Sequence, residues 1–168
     1  HSVLSEIKKK KRTVKEIWVN NEDKIKKLKI DHLFKKIKLK KNNEISNLFK
    51  SSNNEIHQGI AANISTIQYK SFNEILSEEQ NTIVILDGVS DQRNIGSIIR
   101  CCVAFGVKTI IAEKKSLNVN SNTIHKASSG YIENIDIVIS SNVTNNIITL
   151  KKKNYYIVGL DSNSGSNL

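Results

Sequence analysis

The sequence of 168 residues predicts an α/β fold in two units, the second of them built on a parallel sheet. Residues 82–86 form an unbroken apolar run, which is typical of a strand buried on both faces. Apolar side chains then recur from Ile95 to Phe105 at the spacing of one helix face. Two more apolar runs, 109–112 and 135–139, follow as predicted strands, and strands separated by helices pair in parallel through right-handed crossovers.

The first unit covers residues 1–64 and alternates short strand and helix patterns, as expected of a small layered α/β domain. Residues 14–19 alternate in polarity and are rich in β-branched side chains, which predicts a strand. Asn20–Asp23 offers capping residues for the basic helix that follows. The predicted elements are a helix over 2–10, a strand over 14–19, a helix to 28, a short helix after 30, a strand near 36–40, a helix over 42–50 with Ile45, Leu48 and Phe49 inward, and a strand over 59–64.

A polar stretch at 65–80, with a short helical pattern at 72–76, is interpreted as a linker to the second unit at 81–168. Open parallel sheets bind ligands beyond the carboxyl ends of their strands, so the loops at 87–94 and 161–166 are the candidate ligand site. The last predicted elements are a helix over 142–153 with Ile147, Ile148 and Leu150 inward, and a fourth strand over 155–160.

The net charge of +10 is concentrated at the amino-terminal end of the chain. Residues 1–41 hold 15 Lys and Arg against 5 Asp and Glu, whereas residues 42–168 hold 11 of each. A one-sided basic block indicates a polyanion partner, and lysines suit phosphate contacts better than base reading. The alternative is a solvated lysine-rich surface. The densest part of the block is Lys8, Lys9, Lys10, Lys11 and Arg12, which we expect to contact the phosphates of that polyanion.

Several other functions are disfavoured by composition. No stretch reaches the ~18 apolar residues of a membrane helix, and the first residues have no apolar signal-peptide core, so a cytoplasmic protein is expected. Cys101 and Cys102 are adjacent and are expected to be reduced helix residues. The histidines and cysteines have no metal-ligand spacing, so no metal is expected. The GxGxxG fingerprint of dinucleotide sites is absent after the 82–86 strand.

The most specific motif is IVILDGVSDQRNIGSIIRCCVAFG at residues 83–106. It resembles the first signature motif of the SpoU/TrmH family of RNA ribose 2′-O-methyltransferases, in the SPOUT superfamily. Its motif positions here are Asp91, Asn94, Gly96 and Arg100. Other segments resemble family segments in the same order, and these are His1-Ser2-Val3, His57-Gln58-Gly59 and the stretch from Lys126 to Glu133.

The resemblance implies an L30e-like α/β RNA-binding domain over 1–64, followed by an incomplete SPOUT-type parallel-sheet domain of the α/β-knot class over 81–168. The implied activity is methyl transfer from S-adenosylmethionine to a ribose 2′-hydroxyl in ribosomal or transfer RNA. The similarity is greatest to the group that methylates a guanosine of 23S ribosomal RNA. A homodimer is expected for the full-length protein.

The second and third family motifs, which supply most of the cofactor pocket and the knot, do not occur in residues 81–168. The chain is therefore expected to be truncated at its carboxyl end and inactive by itself. The segment from Val158 resembles the strand and loop that precede the second motif, and its expected cofactor contacts are Leu160, Asp161 and Ser162. Gln92 stands where the family usually has proline, so only the geometry of this loop is expected to depart from the family.

By resemblance, Arg100 falls on the family's catalytic arginine. Arginine stays protonated because its pKa lies above about 12, so a phosphate clamp is the first interpretation and a base the second. Arg93 lies seven residues earlier on the same side of the predicted helix and is expected to contact RNA. Asn94 is expected to orient Arg100 or to cap the helix. An ordinary surface role is the alternative for Arg100.

Glu133 and Gly96 are expected to support the site. Glu133 matches a family glutamate that serves the site or the dimer, with a solvent carboxylate as the alternative. Gly96 is expected to permit close backbone approach, with an ordinary turn or cap glycine as the alternative. For the whole chain, the alternatives to an enzyme are a noncatalytic RNA-binding remnant of one, or a general basic α/β protein.

Overall fold

The structure is a computed structural model that describes residues 12–48, 57–78 and 82–161. Within these residues the chain forms two sheets, each with helices packed against it. The sequence predictions that lie outside the described residues concern the helix over 2–10, Lys8, Lys9, Lys10, Lys11, Phe49 and Ser162.

The first sheet, in the described part of the chain, consists of β1 (Val14–Val19), β2 (Ile37–Leu39) and β3 (Ile60–Ile64). Strand β1 is central, with β2 parallel on one edge and β3 antiparallel on the other. Its inward side chains, Ile17 and Val19, have no exposed surface. The three strands predicted for this unit are confirmed, and their pairing is mixed.

Two α-helices and one 3₁₀ helix are described in the first unit: α1 (Asp23–Leu28), the 3₁₀ helix (Asp31–Lys36) and α2 (Asn42–Asn47). Ile25 of α1 and Ile30 after it pack against the inner side of β1. All three helices were expected from the capping and apolar patterns.

Helix α2 is shorter than predicted. Its N-cap position is Lys41, whose backbone N–H donates to Glu44 Oε2 at 2.8 Å. That bond, with the ammonium of Lys40, lowers the pKa of the Glu44 carboxyl. Ile45 is buried as expected, whereas Leu48 is 46% exposed because the helix ends before it can turn inward.

The second sheet consists, among the described residues, of β4 (Ile83–Leu86), β5 (Thr109–Glu113) and β6 (Asp136–Ser140), in that order. All pairings are parallel, which confirms the predicted sheet. Successive side chains of a strand point to opposite faces. Ile110 and Ile111 of β5 therefore belong to two different core clusters, and both are fully buried.

Helices cover both faces of this sheet. Ile95, Ile99, Ile124 and Ile132 fill one face, and Ile75 and Leu150 pack on the other. The elements on the first face are α4 (Gln92–Ala104), α5 (Asn122–Ala127) and a second 3₁₀ helix (Tyr131–Asn134). Those on the second face are α3 (Phe72–Ser77) and α6 (Val143–Lys152).

The prediction of a fourth strand over 155–160 is wrong. Tyr155 and Ile157 pack on the face of the sheet that holds Leu150, and the alternate residues are exposed. A strand also needs backbone hydrogen bonds to a neighbour, and no described strand pairs with this segment. The apolar residues at 155–160 are consistent with inward side chains, but they do not show whether a partner strand exists.

Two further expectations differ from the structure. Residues 65–80 were expected to be a linker, yet Ile75 of α3 is fully buried against the second sheet and Lys70 forms a backbone bridge with Val138. The structure therefore packs Lys70 and helix α3 on the second unit. In α6, Leu150 is buried as predicted, but Ile148 is 46% exposed and Val143 takes the inward position.

Gly96 sets the distance between α4 and α5. A Cβ atom at this position would lie 2.5 Å from Ala127 Cβ and 3.0 Å from the backbone oxygen of Ile124. These separations are too short for real contacts, and backbone atoms cannot move aside as a flexible side chain can. The expectation that Gly96 permits close backbone approach is met by this geometry.

We therefore predict that Gly96→Ala destabilises the chain. The gain in helix propensity is about 1 kcal/mol, but forced separation of two packed helices costs more, and the net loss should be about 1–3 kcal/mol. The matched control is Gly159→Ala, because a Cβ there meets nothing within 4 Å. Urea unfolding checks both variants. Equal stability of Gly96→Ala and the unsubstituted protein would show that the helices separate without cost.

Candidate functional site

Helix α4 begins at the carboxyl end of β4, where parallel sheets bind ligands. Its N-cap is Asp91, whose Oδ1 accepts a hydrogen bond from the backbone N–H of Arg93 at 2.7 Å. Asn94 lies in the first turn with an exposed side chain. The capping alternative for Asn94 is therefore wrong, because the loop ends three residues earlier than that alternative requires.

The exposed face of α4 carries two arginines. Ile95, Ile99 and Cys102 are buried, whereas Arg93 and Arg100 are exposed. Seven residues advance a helix by about 10 Å and bring the chain back to nearly the same side. The two guanidinium groups thus share one face, as expected from the sequence. Both side chains are exposed, so their charges face solvent.

Gln92 ties the loop before α4 to the loop after β5. Its side-chain Nε2 donates to the backbone oxygens of Ser90 at 2.9 Å and Ser116 at 2.7 Å. Its Oε1 accepts from the backbone N–H of Asn118 at 3.2 Å. The amide therefore holds two carboxyl-edge loops together in the position where the resembling family has proline. Sequence reasoning noted this departure but did not assign these bonds, because the second loop lies more than twenty residues away.

Glu133 is buried and makes an ion pair with Arg12, which lies 121 residues earlier in the chain. The distance from Arg12 Nε to Glu133 Oε1 is 2.9 Å, and a second guanidinium nitrogen also bonds that oxygen. Arg12 was expected to contact RNA with the lysines before it, and Glu133 to be a site or dimer support. Because its guanidinium is buried and paired with Glu133, Arg12 is not among the proposed RNA contacts.

The expected cofactor contacts lie on an open surface. Leu160 is 79% exposed and Asp161 is exposed. A cleft of about 230 Å³ opens at the carboxyl end of β6, lined mainly by residues 138–142 with Phe72, Asn145 and Asn146. Cofactor pockets have volumes of roughly 300–1,000 Å³ and bury most of their ligand. This cleft is smaller than that range, and neither Leu160 nor Asp161 lines it.

Cys101 and Cys102 are free thiols in α4, and burial raises the pKa of Cys102, with Cys101 adding to the effect. Across residues 12–48, 57–78 and 82–161, no three His, Cys, Asp or Glu side chains come together in a possible metal site. No helix in the described part of the chain is long and apolar enough to cross a membrane.

The fold and the site define an α/β protein whose parallel-sheet unit presents a basic helix face at the carboxyl end of its first strand. The chain belongs, more particularly, to the SpoU rRNA Methylase family, whose model matches residues 81–168. A protein of Staphylococcus saprophyticus, named as a member of the TrmH family of tRNA/rRNA methyltransferases, is 35% identical over 116 residues. These are 66% of this chain and 47% of that protein, so the chain spans about half the length of the curated relatives it matches.

Solved structures share the fold over both units. The SpoU methyltransferase AviRb of Streptomyces viridochromogenes, solved in complex with the cofactor AdoMet, matches 90% of this chain and 57% of its own, at 15% identity and a TM-score of 0.66. A structure named as an RNA 2′-O ribose methyltransferase matches 91% of this chain and 57% of its own, at 14% identity and a TM-score of 0.64. The predicted α/β class is confirmed.

We predict that Gln92→Glu loosens the loop over 114–121. The carboxylate has the same shape as the amide but cannot donate to the oxygens of Ser90 and Ser116, so the loss should be about 1–3 kcal/mol. Hydrogen exchange should accelerate in this loop while the core of β5 stays protected. The control is Gln68→Glu, since Gln68 is exposed in a different loop. Unchanged exchange in the loop would show that Gln92 does not hold it.

Proposed function

We propose that the whole protein is an S-adenosylmethionine-dependent RNA ribose 2′-O-methyltransferase, with a guanosine of 23S ribosomal RNA as its target. The observation that carries the proposal is the exposed arginine pair on α4, the helix that begins at the carboxyl edge of the parallel sheet. Family membership and the two structural relatives, one of them solved with AdoMet, support the activity and the cofactor. The bound cofactor would supply an electrophilic methyl group.

In this proposal Arg100 clamps a phosphate of the RNA substrate. A guanidinium matches phosphate oxygens with two parallel hydrogen bonds and stays charged throughout. Positioning of reacting groups can contribute several kcal/mol to a transfer reaction, so a rigid clamp on the substrate can speed methyl transfer. Helix α4 supplies that rigidity, because its buried face is packed and its first turn is capped by Asp91. Asn94, six residues from Arg100, is proposed to orient the clamp.

The first unit is proposed to be the L30e-like RNA-binding domain. Lys8–Lys11 remain its proposed phosphate contacts, together with Arg93 from α4. A groove at the ends of β1 and β2 is lined in part by Asn20, Asn21, Lys40 and Lys41. The described surface adds these exposed lysines: Lys15, Lys26, Lys27, Lys29 and Lys35. Lysines on flexible stems neutralise phosphates without reading bases, so this binding should depend strongly on salt.

The second candidate function is RNA binding without catalysis. The open surface around Leu160 and Asp161 favours it for residues 1–168, because a methyltransferase must hold its cofactor. A homodimer and a cytoplasmic location are proposed for the whole protein under the first function.

We predict that Arg100→Ala lowers methyl transfer by the whole protein at least about 100-fold, since lost charge stabilisation has this size elsewhere. RNA affinity should fall much less, and stability should change by less than about 0.5 kcal/mol because the side chain is exposed. Tritium transfer to ribosomal RNA measures the rate. Ser97→Ala, on the same exposed face, is the control. Activity of Arg100→Ala within tenfold of the unsubstituted protein would remove Arg100 from catalysis.

For residues 1–168 alone, we predict that S-adenosylmethionine binds with a dissociation constant above ~10 μM. This corresponds to less than about 7 kcal/mol of favourable binding free energy. The reason is that the described carboxyl edge offers a cleft smaller than the usual cofactor pocket. Titration calorimetry decides. Tighter binding would mean that these residues complete a pocket, and would speak against the noncatalytic function.

A further inference from the structure

The loop after β5 carries two adjacent lysines, Lys114 and Lys115, and both side chains are exposed. They lie outside the motif at 83–106 and outside the basic block at 1–41. Because β5 is the central strand of a parallel sheet, this loop lies at the carboxyl edge, where such sheets bind ligands. The two lysines are therefore placed at the same edge as the start of α4.

Hydrogen bonds of Gln92 join this loop to the start of α4. Its Nε2 donates to the backbone oxygen of Ser116 at 2.7 Å, and its Oε1 accepts from the backbone N–H of Asn118 at 3.2 Å. Arg93 follows Gln92 in the chain and Lys115 precedes Ser116. Each basic residue is thus one Cα step, about 3.8 Å, from a residue that takes part in the shorter bond. Arg93 and the lysine pair therefore belong to one continuous surface.

The lysine loop is also anchored to the core of the second unit. Leu117 and Val119 are 6% and 2% exposed, in the cluster that also holds Ile95 of α4. Toward β6, the backbone N–H of Lys114 donates to the backbone oxygen of Ser140 at 3.2 Å. A loop held by α4, by the core and by β6 keeps its exposed charges in a constant arrangement. Binding at this loop then requires little further ordering of the backbone.

Three carboxylates occur in the same two loops, within 87–94 and 113–121. Asp91 Oδ1 accepts from the backbone N–H of Arg93 at 2.7 Å, and half-buried Glu113 has its Oε2 3.5 Å from Ser116 Oγ. Asp87 is exposed. Lysine carries its charge at the end of a flexible four-carbon stem, whereas these acidic side chains are shorter. The charges that reach furthest from the backbone are therefore positive, which suits a polyanion.

We infer that Lys114 and Lys115 bind phosphates of the substrate RNA and, together with Arg93, form one phosphate-binding surface on the carboxyl edge of the second sheet. The inference rests on the proposed RNA methyltransferase function, because it names further substrate contacts at the same edge. Lysines neutralise phosphates without reading bases, so this surface holds RNA beside α4 whatever its sequence. Gln92 keeps the arginine and the lysine parts of the surface together.

The test replaces both lysines, Lys114→Gln with Lys115→Gln, in the whole protein. Fluorescence anisotropy measures binding to a transcribed fragment of 23S ribosomal RNA at salt concentrations from about 0.1 M to about 1 M. Each phosphate contact to a single strand contributes about 0.7 to the slope of log affinity against log salt. The variant should lose about 1.4 of this slope and bind about 25-fold more weakly at about 0.1 M salt, with the difference vanishing near 1 M. Its melting temperature should be unchanged, because both side chains are exposed.

The matched control is Lys151→Gln with Lys152→Gln, which removes the same charge from another pair of adjacent exposed lysines on the same unit. These lysines end α6, whose 10 residues place them about 15 Å from the carboxyl edge at which the helix begins. The control should leave affinity and salt slope nearly unchanged. An equal loss in the control would show diffuse attraction to the net positive charge and would overturn the inference.

Methyl transfer by the same variants separates binding from chemistry. A phosphate contact holds substrate and transition state equally, so Lys114→Gln with Lys115→Gln should raise KM for the RNA and leave kcat unchanged. A fall in kcat with unchanged KM would contradict a binding role and overturn the inference. Unchanged RNA affinity and salt slope in this variant would also overturn it, while the proposed function would stand. If the unsubstituted protein binds no ribosomal RNA at the lowest salt, the proposed function fails and the inference with it.

Discussion

Strand β5 is buried on both faces, because helices of the second unit pack against each face. Ile110 faces α4 and α5, and Ile111 faces α3 and α6. A parallel strand in this position cannot leave either face in water, so its neighbours must be parallel strands joined by helical crossovers. The carboxyl ends of β4, β5 and β6 then fall on one edge, and the start of α4 falls on the same edge.

Much of this architecture can be predicted from local apolar patterns, without knowledge of which distant residues are in contact. The runs at 82–86, 109–112 and 135–139 predict β4, β5 and β6, and the spacing from Ile95 to Phe105 predicts α4. Helix α5 and the 3₁₀ helix Tyr131–Asn134 were not predicted, because each buries a single apolar side chain, Ile124 or Ile132, and one such position sets no period. Short elements of this kind form because the surrounding core selects them, and that selection is invisible in local sequence.

In the candidate site, too, local sequence patterns predict some features, whereas contacts with distant residues determine others. The exposure of Arg93 and Arg100 follows from helical spacing and was predicted correctly. The role of Arg12 was not, because a basic residue beside four lysines gives no sign that a carboxylate 121 positions away will bury it. The bonds of Gln92 have the same origin, since they join two loops separated by α4 and β5. Long-range polar partners were therefore the main information missing from the sequence.

The contact at Gly96 also bears on how this protein can change during evolution. The space beside Gly96, between α4 and α5, is already occupied by the methyl group of Ala127. Positions 96 and 127 therefore share a fixed combined side-chain volume, and neither can enlarge unless the other shrinks or the helix pair moves apart. In homologues that keep this helix pair, the residues at the two positions should vary together. One position should be glycine, and the other should carry at most a small side chain.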